Sequence, residues 1–273
     1  MVESTDSVIE QTSMSDNGTS GLILAASRGA LVARNSVSGS HGYALNFFEV
    51  EDSRIQDNKL DGNDHGLQMV AGSSRNTIRR NVVSHSHGSS IDLGDGAVAN
   101  RIERNRLIDN GDGIIVVEVQ DTLISRNILT DTGASTPPEE TGGFGIVVDG
   151  ADRTTLDRNI LTGGRGPAIF VTVLEAPTVP EDNVVSRNVV TSNLGDGILV
   201  DSGATRTLLV RNLATRNGDD GIDVDVPATT LTHNIANRNR DLGIEAVPGV
   251  IDGGGNRAAG NGNPAQCTNI ECR

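Results

Sequence analysis

Two regions of this 273-residue sequence gather side chains that could move protons or hold a cation. The first is N-terminal. Four of the five histidines fall between residues 41 and 87, and the only tyrosine, Tyr43, lies among them. Proton transfer at a carbon beside a carboxylate needs a base and an acid close together, with amides to steady that carboxylate. Tyr43, His65, His87 and Asp92 are the residues expected to carry such chemistry, with Asn46, Gln68, His41 and Asp95 as substrate-binding neighbours. The competing reading makes all of them solvated corner residues. The second region is acidic and C-terminal. Asp196 and Asp220 are one repeat apart, as are Asp201 and Asp225, and Asp219 and Asp223 stand beside them. Stacked carboxylates repel unless they are protonated, splayed into solvent or bridged by a cation. Calcium, which accepts six to eight oxygens in irregular geometry, is the expected cation for Asp196, Asp201, Asp220, Asp223 and Asp225. Paired acids could equally hydrolyse a glycosidic bond. An acidic, solvated turn is the plainer alternative.

The elements that must position these groups follow from internal repetition. An asparagine, usually after arginine, recurs at positions 35, 58, 81, 105, 127, 159, 188, 212, 234 and 256. Seven of the nine steps are 22–24 residues, and the two longer ones contain Pro-bearing acidic insertions at 131–143 and 173–182. Apolar residues alternate in short runs, as in Ile102, Leu107, Ile114 and Val116, separated by Gly, Asn and Asp. That is period two, in three brief strands per unit. Helical repeats are longer, and leucine-rich repeats of this length require a leucine pattern that is absent here. The unit describes one coil of a parallel β-helix. Equivalent residues then stack about 4.8 Å apart. Tyr43 falls beside His65, and an outward column runs Asn46, Gln68, Asp92, Ile115, Val147, Phe170, Leu199, Asp223, Glu245. The asparagines are expected to form a ladder, held in left-handed or bridging turns. Small residues such as Ala44, Gly66, Ser90 and Gly113 are expected at a tight corner before the next strand.

The R-N-x-L…G-x-G-I-x-V coil resembles the repeat of right-handed parallel β-helix proteins of the pectate-lyase-like type, over about residues 8–262. The resemblance implies an all-β, right-handed solenoid of about ten to eleven coils. It also implies an extracellular protein that acts on or binds polysaccharide. The relatives include lyases and C5-epimerases of uronate polymers, glycoside hydrolases and non-catalytic surface scaffolds. No Asp-Pro-His string of the kind many C5-epimerases carry is present.

Composition agrees with stacked small layers. There are 33 Gly, four Phe and no Trp, so the core must come from Val, Ile, Leu and Ala. The formal charge of −14 argues against nucleic acid, which needs a basic footprint. No apolar run approaches the roughly 20 residues of a membrane span. The outward stripe Ile115, Val147, Phe170 and Leu199 is expected either to lie under the two insertions or to serve as a homo-oligomer interface. An arginine column, Arg80, Arg104, Arg126, Arg158, Arg187 and Arg211, reads as a solvated face or as a track for an anionic polymer. Cys267 and Cys272 are expected to pair in an oxidising compartment, secreted or at the cell surface. The chain is read as one domain over 1–273, with 1–20 as an N-terminal cap or degenerate coil and 257–273 as a disulfide-closed cap. The N-terminal residues show no signal-peptide pattern.

Overall fold

The computed structural model describes residues 4–134, 142–174, 176, 178–201 and 203–273. Every strand pairing in it is parallel, in three sheets of 11 strands each. Sheet A runs from Ser4–Thr5 to Ile244–Ala246, sheet B from Val8–Glu10 to Ile251–Asp252, and sheet C from Ser13–Ser15 to Arg257–Ala259. Each coil visits A, B and C in turn, so the chain is a three-sided β-helix of 11 coils. Among the described residues no helix is long and apolar enough to cross a membrane.

The period-two pattern explains the core. Leu45, Phe47, Leu67, Met69, Ile91 and Leu93 point inward from sheet A. They meet Ile55, Ile78 and Ile102 from sheet B and Leu60, Val83 and Leu107 from sheet C. Later coils carry Val190, Ala214 and Ala236 on sheet C, so the core narrows toward the C-terminus.

The asparagine ladder forms, and its mechanism differs from the turn argument. The left-handed conformation belongs to the residue before each asparagine, as at Arg80 (φ 52°), Arg104 (55°) and Arg126 (55°). The asparagine itself turns inward. Asn105 donates Nδ2–H to Asn127 Oδ1 at 3.0 Å, and Asn127 does the same to Asn159 at 3.0 Å. Buried amides bond one another and the neighbouring backbone, which leaves no polar group unpaired inside the corner. A second ladder, not foreseen from the sequence, joins Asn193, Asn217, Asn239 and Asn261 at the corner between sheets C and A. The small residues differ too. Gly66 and Gly113 lie within sheet A strands, not at a corner. A Cβ on Gly66 would fall 2.2 Å from the Ser90 carbonyl oxygen, and one on Gly113 2.0 Å from that of Gly145. Close approach of neighbouring coils, not turning, requires them.

The two insertions leave the helix on either side of sheet A, one between sheets C and A and the other between A and B. Residues 135–141, Glu175 and Pro177 of these insertions lie outside the described residues. The described ends pack on sheet A. Phe144 stacks on Phe170 at 5.6 Å, and Leu174 N–H donates to Asp149 Oδ1. Val147 and Phe170, on the outward column, are 3% and 7% accessible, in line with a stripe lying under its own chain. The middle of the apolar stripe is therefore covered by its own chain, and only Ile115 and Leu199 stay half-buried at its margins. That leaves little free apolar surface there for a second copy.

Cys267 and Cys272 form a disulfide in the tail. Cys267 also bridges to Ile244 of sheet A. So short a loop removes little unfolded-state entropy, about 2 kcal/mol at most. Reduction should lower the melting temperature by only a few degrees and speed amide exchange in residues 257–273 without loosening the middle coils.

Candidate functional site

Strand register places the N-terminal candidates. Tyr43 pairs with His65, and Ser89 with Asp112 one coil further on. Asn46, Gln68 and Asp92 form the parallel column, as expected. The side chains close into a network. Tyr43 Oη donates to Asp92 Oδ2 at 3.0 Å and accepts from Gln68 Nε2 at 3.1 Å. Ser89 Oγ also donates to Asp92 Oδ2. His65 Nδ1 lies 3.2 Å from Ser89 Oγ, and its ring tilts against that of Tyr43 at 4.7 Å. Burial pushes the Tyr43 hydroxyl far above its ordinary range, and the Asp92 charge adds to the effect. Burial also raises Asp92, although bonds from Ser89 and Tyr43 oppose this. Tyr43 thus keeps its proton at neutral pH.

Three candidates stand apart. His87 is 82% exposed, with Nδ1 3.5 Å from Asp64. His41 is exposed in the turn before Tyr43–Glu51. Asp95 occupies a left-handed turn (φ 50°) after Ser89–Leu93. Asn46 is buried, and its Oδ1 has no hydrogen-bond partner. Ser89 and Asp112 were missed by sequence reading. Asp112 accepts N–H bonds from Gly143 (2.8 Å) and Phe144 (2.9 Å), which ties the first insertion to this column.

The acidic cluster is more compact than expected. Asp220 N–H donates to Asp196 Oδ1 at 2.9 Å, and Leu242 N–H to Asp220 Oδ1 at 2.6 Å. Carboxylate oxygens of Asp196, Asp219 and Asp220 lie within 4.8 Å of one another, as do those of Asp220, Asp223 and Glu245. Asp223 and Glu245 are register partners on sheet A. Burial, then neighbouring acids, pushes Asp196 up to about 6 and Asp223 to about 7. Burial and a hydrogen bond with Glu245 raise Asp220 as well. Asp201 and Asp225 lie at the other end of the same strands, outside both trios. Burial and the Asp201 charge raise Asp225. Glu245 and Asp219 complete the cluster. The outward column already held the first, and the Asp219–Asp220 doublet marked the second.

These shifts have a sign. Asp196 and Asp223 hold protons in the folded chain at pH values where the unfolded chain, near pKa 3.9, has lost them. Their stabilising contribution is full below about pH 4 and is lost as pH rises through 6 and 7. Native protein should lose on the order of 2–3 kcal/mol across that window, and Asp223→Asn should flatten the loss. Melting curves from pH 4.5 to 8 read this directly. A bridging cation needs ionised carboxylates, so added Ca²⁺ should raise the melting temperature more at pH 8 than at pH 5. Equal melting with and without Ca²⁺ at both pH values would remove the cation.

Fold comparisons place this geometry. The chain matches the model of the right handed beta helix region over residues 1–129, 70–235 and 112–267. Among curated protein sequences none matches it significantly. Among solved structures it is similar to the Dettilon tailspike protein gp208 (TM-score 0.70, 13% identity), covering 97% of this chain and 61% of that one. It is also similar to the A-module of the Azotobacter vinelandii mannuronan C-5 epimerase AlgE4 (0.60, 15%, 97% and 79%). A third is the catalytic unit of a GH87 α-1,3-glucanase from Streptomyces thermodiastaticus strain HF3-3 (0.62, 14%, 91% and 62%). The chain spans less than two thirds of the tailspike and glucanase chains. With eleven parallel coils and a family model matched along nearly its whole length, the chain belongs to the right-handed β-helix family.

Proposed function

We propose that the protein is an extracellular polysaccharide-active enzyme and that its reaction is glycosidic-bond hydrolysis at Asp196, Asp219 and Asp220. One observation carries this reading. Carboxyl groups of adjacent coils crowd together, and burial lifts some of them toward neutrality. At neutral pH such a cluster holds a protonated acid beside ionised carboxylates, the pair that glycoside hydrolysis uses. The α-1,3-glucanase among the fold neighbours is a hydrolase on the same scaffold. The paired cysteines agree with an oxidising compartment.

A second reading is elimination or epimerisation of a uronate at Tyr43 and His65. The ring contact between them and the epimerase among the fold neighbours favour it. In that case Tyr43 supplies the proton. Incubation with a panel of neutral and uronate polymers separates the two. Hydrolysis yields new reducing ends without absorbance near 232 nm and stops in Asp220→Asn. Elimination raises that absorbance and stops in Tyr43→Phe. Epimerisation gives neither signal and shows as a changed uronate composition by NMR. A panel without product in all three assays overturns both enzymatic readings in favour of a binding scaffold.

A further inference from the structure

The chain has a formal charge of −14, yet one face of its C-terminal coils is basic. Strands Leu213–Thr215, Ile235–Asn237 and Arg257–Ala259 lie side by side in sheet C. Arg211 and His233 occupy the corner that leads into the first two strands. Arg216 and Arg238 occupy the corner that leaves them. All four adopt left-handed backbone, with φ of 56° or 57°. Arg257 opens the third strand, opposite Ile235.

Several corner arginines of earlier coils are neutralised, although among the described residues Arg104 and Arg126, in the same column as Arg211, pair with no carboxylate. Arg80 pairs with Asp57 at 2.7 Å, Arg187 with Asp157 at 2.9 Å and Arg206 with Asp182 at 2.7 Å. Among the described residues no carboxylate lies within ion-pair distance of Arg211, Arg216, Arg238 or Arg257. Two hollows separate these cations. One of about 460 Å³ is lined by Arg211, Leu213, His233, Ile235 and Arg257. The other, of about 430 Å³, is lined by Thr215, Arg216, Asn237 and Arg238. In the second, Asn237 Oδ1 is buried without a hydrogen-bond partner.

We infer that this face binds a carboxylate- or sulfate-bearing polysaccharide, with the four arginines on its anionic groups. A guanidinium fork matches both oxyanions. Stacked corners set Arg216 and Arg238 about 4.8 Å apart, so they meet a repeating charge as a pair. Leu213 and Ile235 give apolar ground for a sugar ring. Nucleic acid fits less well. His233 is the one ring among the residues lining these hollows, so successive bases find no row of stacking platforms. Arg216 precedes Asp219 by one short corner, so a polymer held here extends toward the acidic cluster. The assignment stands whether or not that cluster cleaves.

The test uses fluorescently labelled polygalacturonate, dextran sulfate and neutral dextran, at low and high salt. Native protein should bind at least one of the anionic polymers, weaken with salt and ignore dextran. Binding of only one tells carboxylate from sulfate. Arg216→Glu with Arg238→Glu should weaken binding at least about tenfold. The charge-matched pair Arg80→Glu with Arg153→Glu should weaken it far less. Binding is read apart from reducing-end release, which separates this face from hydrolysis. Melting curves confirm that each variant is folded. No binding of either anionic polymer at low salt overturns the inference. So does equal weakening by both charge-reversed pairs, or tighter binding to labelled single-stranded DNA.

Discussion

Replacing Asp220 by Asn should lower hydrolysis by about 10²- to 10⁴-fold, the usual contribution of a positioned acid or base. The substitution is mild in shape. Asp220 is 4% exposed, and the Asn carbonyl can still accept the Leu242 N–H. The bond from the Asp220 backbone to Asp196 Oδ1 does not involve the side chain and survives. What disappears is a carboxyl group that can hold a proton beside Glu245 and Asp196. The variant should therefore melt no lower than native protein at pH 8, where crowded acids cost most, while losing turnover. Asp196→Asn should do the same, because the two residues form the pair. Reducing-end release measured from pH 4 to 8, with melting curves on the same samples, separates chemistry from folding. Turnover in Asp220→Asn within about threefold of native would make the cluster a structural feature of the corner. Tyr43→Phe should leave hydrolysis unchanged, since its hydroxyl is bound to Gln68 and Asp92, in earlier coils of the same face.

How far the site could be read from sequence depends on what the repeat transmits. A 22–24-residue period with two-residue alternation fixes which side chains share a column, because one slip would turn the core face outward. Hence Tyr43 beside His65, and Asp223 beside Glu245, were legible. Corners are harder. His87 and Asp95 lie close in sequence to Asp92 yet point elsewhere, because a corner residue leaves the sheet plane and its direction follows local φ and ψ. The period also says nothing about departures from itself. Nothing in the repeat marks Asp112, and only the folded chain shows it accepting two N–H groups from the end of the first insertion. The cover over Val147 and Phe170 was one of the two outcomes expected, and what the repeat left open was which side chain supplies it. Phe144, just beyond the insertion, supplies the ring that lies over Phe170.

The largest loss of stability should come from Asn159→Ala, in the middle of the ladder. Asn159 is fully buried. Its Oδ1 accepts from both the backbone N–H and the Nδ2 of Asn127, each at 3.0 Å. Its Nδ2 donates to the Ile124 carbonyl at 2.9 Å and to Asn188 Oδ1 at 3.0 Å. Alanine removes all four bonds, and the cavity is too enclosed for bulk water to replace them. A buried donor or acceptor left unpaired costs about 1–3 kcal/mol, so the total should be about 3–5 kcal/mol after partial relaxation. For a chain of this size that lowers the melting temperature by roughly 10 °C. Asn35 gives the contrast. In the first coil the ladder position is Thr12, so Asn35 Oδ1 accepts only the Thr12 backbone N–H, while its Nδ2 still donates to the Ile9 carbonyl and Asn58 Oδ1. The neighbouring coil is also less buried, as at Ile9 and Met14. A β-helix is quasi-one-dimensional, and an end coil can fray without the rest. Asn35→Ala should therefore cost less than half as much as Asn159→Ala. Equal losses would mean that the ladder unfolds as a single cooperative unit, with each amide contributing to the stability of every coil and not only to that of its neighbours.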